Sequence, residues 1–186
     1  MVKHDSDDLK RARAGWSQRG QARPDFATDP GPGQESVWDY PRPPRLERVQ
    51  KRVRVIFAGV TLADTEDAWR ICETASPPTY YVPLQDVTME HLMPTRRRSL
   101  CEWKGQAVYF TLEANGRSAP DAVWSYPEPW PGFEPIAGHL AFMAGAMDAC
   151  YVDDDQVRPQ PGGFYGGWIT PELVGPFKGE PGTGHW

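Results

Sequence analysis

Proline and glycine interrupt this chain so often that they limit what it can fold into. The 186 residues include 20 Pro and 18 Gly, more than a fifth of the total, and both residues disfavour the interior of helices. No stretch shows sustained helical periodicity, whereas short runs of β-branched and aromatic residues recur between the breaks. We therefore predict a mainly β protein, with a single compact antiparallel domain of about eight short strands and one or two helical turns.

Two hairpins are predicted most directly. The segments VRVIF and VTLADT flank Ala58-Gly59, and strand alternation should bury Val53, Val55 and Phe57 on one face. Further along the chain, Asn115-Gly116 stands between two runs of strand-forming residues. Asn-Gly is the strongest short hairpin signal that a sequence contains, so we predict a second tight turn there.

Composition divides the chain into four parts. Residues 1–35 are polar and broken by prolines, and we predict that they are disordered because they cannot bury enough apolar area. Residues 36–51 form an extended arm stiffened by prolines and carrying aromatic rings, and residues 52–155 form the β domain. Residues 156–186 form a second arm, in which many Gly and Pro accompany five large aromatics. We expect this arm to lie against a surface, either of its own chain or of another subunit.

Charge and cysteine usage argue against several kinds of partner. The net charge is −5, whereas proteins that bind nucleic acid usually present a basic face. No apolar run approaches the roughly 20 residues that cross a bilayer, and the charged amino end lacks the apolar segment of a secretory signal. Three scattered cysteines without a C-x-x-C pair form neither a disulfide framework nor a zinc site. We therefore expect a cytoplasmic protein with reduced thiols, no nucleic-acid or membrane partner, no metal and no cofactor.

The stretch 99–129 holds the densest run of large side chains with polar groups. With neighbouring strand ends it predicts an aromatic pocket for a small organic ligand, because such pockets combine aromatic walls with a few polar groups. Lys104 or Arg70 would bind an anionic group of the ligand, and the rings would bind its planar or apolar body. The predicted lining is Arg70, Tyr80, Tyr81, Cys101, Trp103, Lys104, Tyr109, Trp124 and Tyr126. In the alternative interpretation these rings fill a solid core.

Two other functions stay open, and the sequence does not decide whether any reaction is catalysed. Cys101 lies three residues before Lys104 and is a weak candidate nucleophile, because a nearby ammonium lowers a thiol pKa. On an alternating strand, however, these two side chains should point to opposite faces. A general base would have to be His91 or His139, and no spacing links either to the thiol. The aromatic carboxyl-terminal arm instead suggests a structural or assembly module that forms a homo-oligomer.

Four segments of the chain together resemble the DUF427 family of uncharacterised bacterial proteins. They are ETASPPTYYVP at 73–83, CEWKGQAVY at 101–109, AVWSYPEP at 122–129 and IAGHLAF at 136–142. The resemblance covers roughly residues 52–155, and the two flanking arms are similar to those of longer members.

The resemblance implies a mostly β domain similar to the β-tent, or Mss4-like, topology. Zinc-binding proteins of that topology hold the metal with paired C-x-x-C knuckles, and this chain has none. The family is also labelled nucleotidyltransferase-like, which implies such an activity as an alternative, although no Gly-Ser with paired aspartates occurs here. Where members usually have Cys-Pro-Trp-Lys-Gly, this chain has Glu102 in place of the proline.

Overall fold

The computed structural model describes residues 6–186 and shows a mainly β protein. Its one α-helix in this range is α1 (Asp7–Ala14). The strands are β1 (Glu35–Ser36), β2 (Arg45–Arg48), β3 (Val53–Phe57), β4 (Val60–Thr65), β5 (Trp69–Glu73), β6 (Ser76–Tyr81), β7 (Leu92–Cys101), β8 (Gly105–Ala114), β9 (Arg117–Ser125), β10 (Leu140–Phe142), β11 (Ala149–Val152), β12 (Asp155–Gln156), β13 (Arg158–Pro159), β14 (Trp168–Ile169) and β15 (Leu173–Val174). Single 3-10 turns occupy Val37–Asp39, Leu84–Asp86, Met89–His91, Glu134–Ile136 and Ala144–Ala146. No helix in residues 6–186 is long and apolar enough to cross a membrane.

Three antiparallel sheets make up most of the protein. Their strand orders are β10-β9-β8-β7, β12-β11-β3-β4 and β2-β5-β6. One short parallel ladder, between β1 and β15, joins the first arm to the second, and β13 pairs antiparallel with β14 within the second arm. The prediction of a mainly β, antiparallel fold is confirmed.

The predicted count of about eight strands is not confirmed, and the Mss4-like topology stays a prediction. Residues 6–186 contain fifteen strands, and five of these are only two residues long. The pairing of β1 with β15 joins segments that are far apart in the sequence. A ladder of two residues leaves no alternation for a sequence pattern to reveal, so this part of the count depends on tertiary contacts.

Both predicted hairpins are confirmed. Val53, Val55 and Phe57 of β3 are almost fully buried, and β3 pairs with β4 across Ala58-Gly59. Both turn residues have positive φ, at 50° and 74°, as a two-residue hairpin with right-handed twist requires. β8 pairs with β9 across Asn115-Gly116, where φ is 47° and 75°.

The segment 6–35 differs from the disorder predicted for residues 1–35. α1 buries Leu9, and the Phe26 ring lies 5.0 Å from the Trp38 ring in an edge-on contact. A polar segment with few apolar residues has no core of its own, but here it packs on the surface of the β domain. Residues 1–5 of that prediction lie outside the described residues.

The two arms pack against the chain's own domain and against each other. Trp38 of the first arm and Trp168 of the second are almost inaccessible to solvent. The Trp186 ring lies 5.2 Å from the Trp38 ring, and the Trp168 ring stacks on Tyr80 at 5.0 Å. Trp168 and Trp186 of the second arm thus cover surfaces of the same chain, whereas Phe164 is 73% exposed.

Candidate functional site

A cavity of about 490 Å³ opens where strands β5 to β9 meet the amino-terminal segment and the second arm. Side chains from strands and their connecting loops form most of its wall, and these two segments supply the remainder. The strand and loop side chains include Ile71, Glu73, Arg97, Ser99, Cys101, Glu102, Lys104, Tyr109, Asp121, Trp124, Tyr126 and Met143. The amino-terminal segment supplies Trp16, and the second arm supplies Gln160, Phe164, Tyr165 and Lys178.

Five of the nine residues predicted from the sequence line this cavity. These five are Cys101, Lys104, Tyr109, Trp124 and Tyr126. The other four, Arg70, Tyr80, Tyr81 and Trp103, lie elsewhere in the structure. The middle hairpin therefore does border a hollow, but the hollow has a different outline from the predicted one.

Arg70 and Tyr80 do not contribute to the cavity wall. The Arg70 guanidinium pairs with Glu35 at 2.5 Å and with Glu47 at 2.7 Å, so two carboxylates already compensate its charge. Tyr80 stacks on Trp168 and belongs to the main hydrophobic core. Two carboxylates of its own chain thus occupy this cation, and Lys104 is the other residue that was predicted to bind an anionic ligand group.

Tyr81 and Trp103 are buried without lining the cavity. Tyr81 has no exposed surface, and its hydroxyl finds no hydrogen-bond partner of normal geometry among residues 6–186. The Trp103 ring is also buried, and the Arg13 guanidinium from the amino-terminal segment lies 5.7 Å from its centroid. Both rings therefore support the site instead of contacting its contents.

The side chains of Cys101 and Lys104 reach the same cavity, so the expectation that they point to opposite faces is wrong. Strand alternation ends at Cys101, which pairs with Gly105 across a three-residue loop. Gly105 has φ of 105°, a conformation that favours glycine. The main-chain N–H of Trp130 donates to the Lys104 carbonyl at 3.0 Å and holds the loop in place.

The thiol and the two tyrosine hydroxyls near Lys104 are protonated and neutral, and Lys104 itself is a cation. Burial raises the pKa of Cys101, Tyr81 and Tyr126, although Lys104 opposes each shift, so all three keep their protons at neutral pH. Burial also opposes the charge of Lys104, but the two tyrosine hydroxyls, the thiol and Glu73 together raise its pKa. The side chain is therefore an ammonium, and its Nζ lies 5.6 Å from the Tyr126 ring centroid.

The ammonium of Lys104 has no ion-pair partner in residues 6–186, although the more distant Glu73 carboxylate raises its pKa. It lies in the cavity wall and forms no ion pair with any described residue. A partly buried charge without a counterion is unusual, because burial removes the hydration that stabilises the ion. An anionic group inside the cavity would supply the missing partner.

Tyr109 is fixed at the rim of the cavity by two polar contacts. Its hydroxyl lies 2.7 Å from the Ser99 hydroxyl on the neighbouring strand β7. The Arg97 guanidinium lies 4.5 Å from the ring centroid, and Arg97 also pairs with Asp121 at 3.6 Å. These contacts leave the ring available as a flat apolar wall.

Trp16 is the main wall residue that the sequence interpretation missed. Its indole N–H donates to Glu102 Oε1 at 2.7 Å. Cations lie close to the ring centroid, with the Arg42 guanidinium at 4.1 Å and Lys178 Nζ at 3.9 Å. The only sequence signal was a tryptophan in an otherwise polar segment, and the contacts that place it come from distant parts of the chain.

Lys178 enters the cavity from the second arm and is 3% exposed. Its Nζ donates to the main-chain oxygen of Trp186 at 2.8 Å. Burial, and then the charge of Arg42, lower the pKa of Lys178 to about 8, against opposing effects of Glu73 and Glu102. This ammonium is thus held by its own arm and by the Trp16 ring.

The loop of the second arm passes directly over Trp124. A Cβ added at Gly166 would overlap the Trp124 indole ring. We therefore expect Gly166→Ala to displace the loop from the ring, lower the melting temperature by several degrees and shift tryptophan fluorescence. The matched control is Gly184→Ala, where an added Cβ meets no atom within 4 Å. Equal effects of the two substitutions would contradict the close contact between the loop and the cavity wall.

In residues 6–186 no group of three or more His, Cys, Asp or Glu side chains is placed to hold a metal ion.

A family model described as a domain of unknown function, DUF427, matches residues 45–153, which is more than half of the chain. No curated protein matches the sequence. The matched region contains Lys104 and the strand residues of the cavity, whereas Trp16 and Lys178 lie outside it.

Proposed function

Because this chain belongs to the DUF427 family, whose function is unknown, we propose from the geometry of the cavity that it binds a small organic acid. The ammonium of Lys104 binds the acid group, and the rings of Tyr109, Trp124 and Tyr126 contact a planar or apolar body. The observation that carries the proposal is the absence of any ion-pair partner for Lys104 in residues 6–186, although its side chain lines a cavity of about 490 Å³. Cavities of this size are typical of sites for small molecules.

If the proposal is correct, the site binds acids in preference to neutral molecules of the same shape. A thermal-shift screen would compare planar carboxylic acids with their primary amides, because the amide keeps the body and removes the charge. We expect some acids to raise the melting temperature progressively as their concentration increases, since a ligand of the native state stabilises it. The corresponding amides should give no shift. Stabilisation by amides and acids alike would contradict a charge-based site.

The alternative role of Cys101 as a nucleophile is disfavoured by its surroundings. The side chain lines the cavity, but burial raises the pKa of its thiol despite the nearby ammonium. The reactive species in nucleophilic catalysis is the thiolate, and very little thiolate is present at neutral pH. The same argument applies to Cys72, where burial raises the pKa to about 12.

We expect Cys101 to react with iodoacetamide about tenfold more slowly than free cysteine at pH 7.5, or slower still, because the buried thiol keeps its proton and only the thiolate is alkylated. The measurement is the labelling rate at each cysteine, followed by mass spectrometry of peptides from the folded protein. The Cys101→Ser variant identifies the site and provides the background from Cys72 and Cys150. Labelling of Cys101 faster than the free amino acid would instead favour the enzyme alternative.

A further inference from the structure

We infer that the ligand of this cavity is a zwitterion, namely an amino acid with an aromatic or bulky apolar side chain. The inference rests on the proposed function and adds a second recognised group, a cationic amine, to the acid bound by Lys104. It follows from the charged side chains that line the cavity and from the partners each of them has.

Several of these charges are already compensated inside the protein. Arg97 pairs with Asp121 at 3.6 Å. Glu73 pairs with the buried Arg42 at 2.8 Å. These four groups form two neutral pairs, so they offer little net charge to a ligand.

Glu102 differs from the other acidic groups of the cavity wall. Its Oε1 accepts a hydrogen bond from the Trp16 indole N–H at 2.7 Å, and its Oε2 lies 3.8 Å from the Cys101 sulfur. Neither donor carries a positive charge, and Glu102 forms no ion pair with any residue in 6–186. The carboxylate is therefore available to a cationic group in the cavity.

Lys104 and Glu102 are close in the chain but do not neutralise each other. Both lie in the loop between β7 and β8, and both side chains line the cavity. Two residues span at most about 7 Å of chain, yet no ion pair joins these two side chains. Lys104 and Glu102 thus place a cation and an anion at neighbouring positions of the cavity wall, and neither forms an ion pair with a residue in 6–186.

An amino acid matches this arrangement in both charge and size. Its carboxylate and ammonium groups are attached to the same carbon atom, so a single compact head group contacts Lys104 and Glu102 together. Its side chain then extends along the rings of Tyr109 and Trp124. A ligand with only an acid group would leave the Glu102 carboxylate buried beside it without a cation, which is unfavourable.

The test is calorimetric titration of the full chain with two matched sets of compounds. The first set is L-phenylalanine, 3-phenylpropanoate and 2-phenylethylamine, which carry both charges, the acid alone and the amine alone. The second set is L-tryptophan, 3-(indol-3-yl)propanoate and tryptamine. We expect at least one amino acid to bind about tenfold or more tightly than its acid, because a charge-assisted hydrogen bond contributes at least this factor. The amines alone should bind most weakly.

The Glu102→Gln variant tests the assigned partner of the amine. Glutamine keeps an oxygen that accepts from the Trp16 indole and removes only the charge. We expect this variant to bind the amino acid no more tightly than the acid, and to bind the acid at least as tightly as the wild type does, because no unpaired carboxylate is then left beside the acid group. The control Glu90→Gln removes a carboxylate that is 76% exposed outside the cavity, and it should keep the tenfold preference.

The outcomes distinguish this inference from the proposed function. If the acids bind wild-type protein as tightly as the amino acids, the zwitterion inference is overturned and the acid site stands. If an amine binds most tightly and Lys104→Met does not weaken any compound, the proposed acid site fails. If no compound of either set binds at about 10 mM, both are overturned.

Discussion

Replacing Arg42 by methionine is expected to lower the free energy of unfolding by about 3 kcal/mol or more. The Arg42 side chain has no exposed surface, and its Nε donates to Glu73 at 2.8 Å. Its other nitrogens donate to the main-chain oxygens of Gln18, Thr74 and Trp186, each at 3.0 Å. One guanidinium thus joins both arms to the strand that carries Glu73. Methionine fills much of the space but leaves a carboxylate and three carbonyl groups without their donor.

The measurement is urea unfolding of the wild type and the variant. The free energy of unfolding must fall with urea concentration at the same slope in both proteins for the two values to be compared. The control is Arg52→Met, which removes a pair with Asp64 whose side chains are 52% and 38% exposed. Exposed ion pairs are screened by solvent and contribute little to stability, so the control should lower the free energy of unfolding far less than Arg42→Met does. A loss at Arg42 no larger than at Arg52 would contradict its role in fixing the arms and, through Trp16, the cavity wall.

Replacing Lys104 by methionine is expected to abolish the binding of acidic ligands while the protein stays folded. Removing one partner of a desolvated charge pair weakens binding by about 2–5 kcal/mol, or roughly 30-fold to several-thousand-fold in Kd. Methionine has a similar length and is tolerated in apolar surroundings, so the strands on either side of the loop should form as before. The measurement is calorimetric titration with the acids found in the thermal-shift screen.

The control for this substitution is Lys51→Met. Lys51 pairs with Glu172 at 2.5 Å and lies outside the cavity, so its loss leaves the binding site intact. We expect the control to bind acids as the wild type does. A Lys104→Met protein that unfolds under native conditions would show that the ammonium is structural, and undiminished binding would show that it does not touch the ligand.

The parts of the fold that the sequence predicts are those that depend on local chemistry. Asn115-Gly116 adopts positive φ with little strain, so its hairpin is determined within a few residues. Alternation in β3 likewise follows from its own side chains. By contrast, α1 and the amino-terminal segment around it are placed by contacts with the finished β domain, for example the bond from Arg13 Nε to the Glu102 carbonyl at 2.7 Å. Composition alone therefore indicated disorder there.

The same difference between local and long-range contacts explains which residues of the candidate site the sequence predicts. Tyr109, Trp124 and Tyr126 were predicted because they lie on adjacent strands of one hairpin and its extension. The pairing of Arg70 with Glu35 and Glu47 could not be predicted, because these partners lie 35 and 23 residues away. Trp16 was missed for the same reason, since Arg42 and Lys178 reach it only in the folded chain. Such partnerships between distant residues leave no periodic or spacing signal.

The central claim is that Lys104 binds the acid group of a small molecule inside the cavity. The most direct test is native mass spectrometry of the wild type and Lys104→Met after both have been equilibrated with the same metabolite extract. We expect the wild type to carry an additional small mass, released on unfolding and identified as a molecule with an acid group, and the variant to carry none. The same adduct on both proteins, or none on either, would contradict the claim.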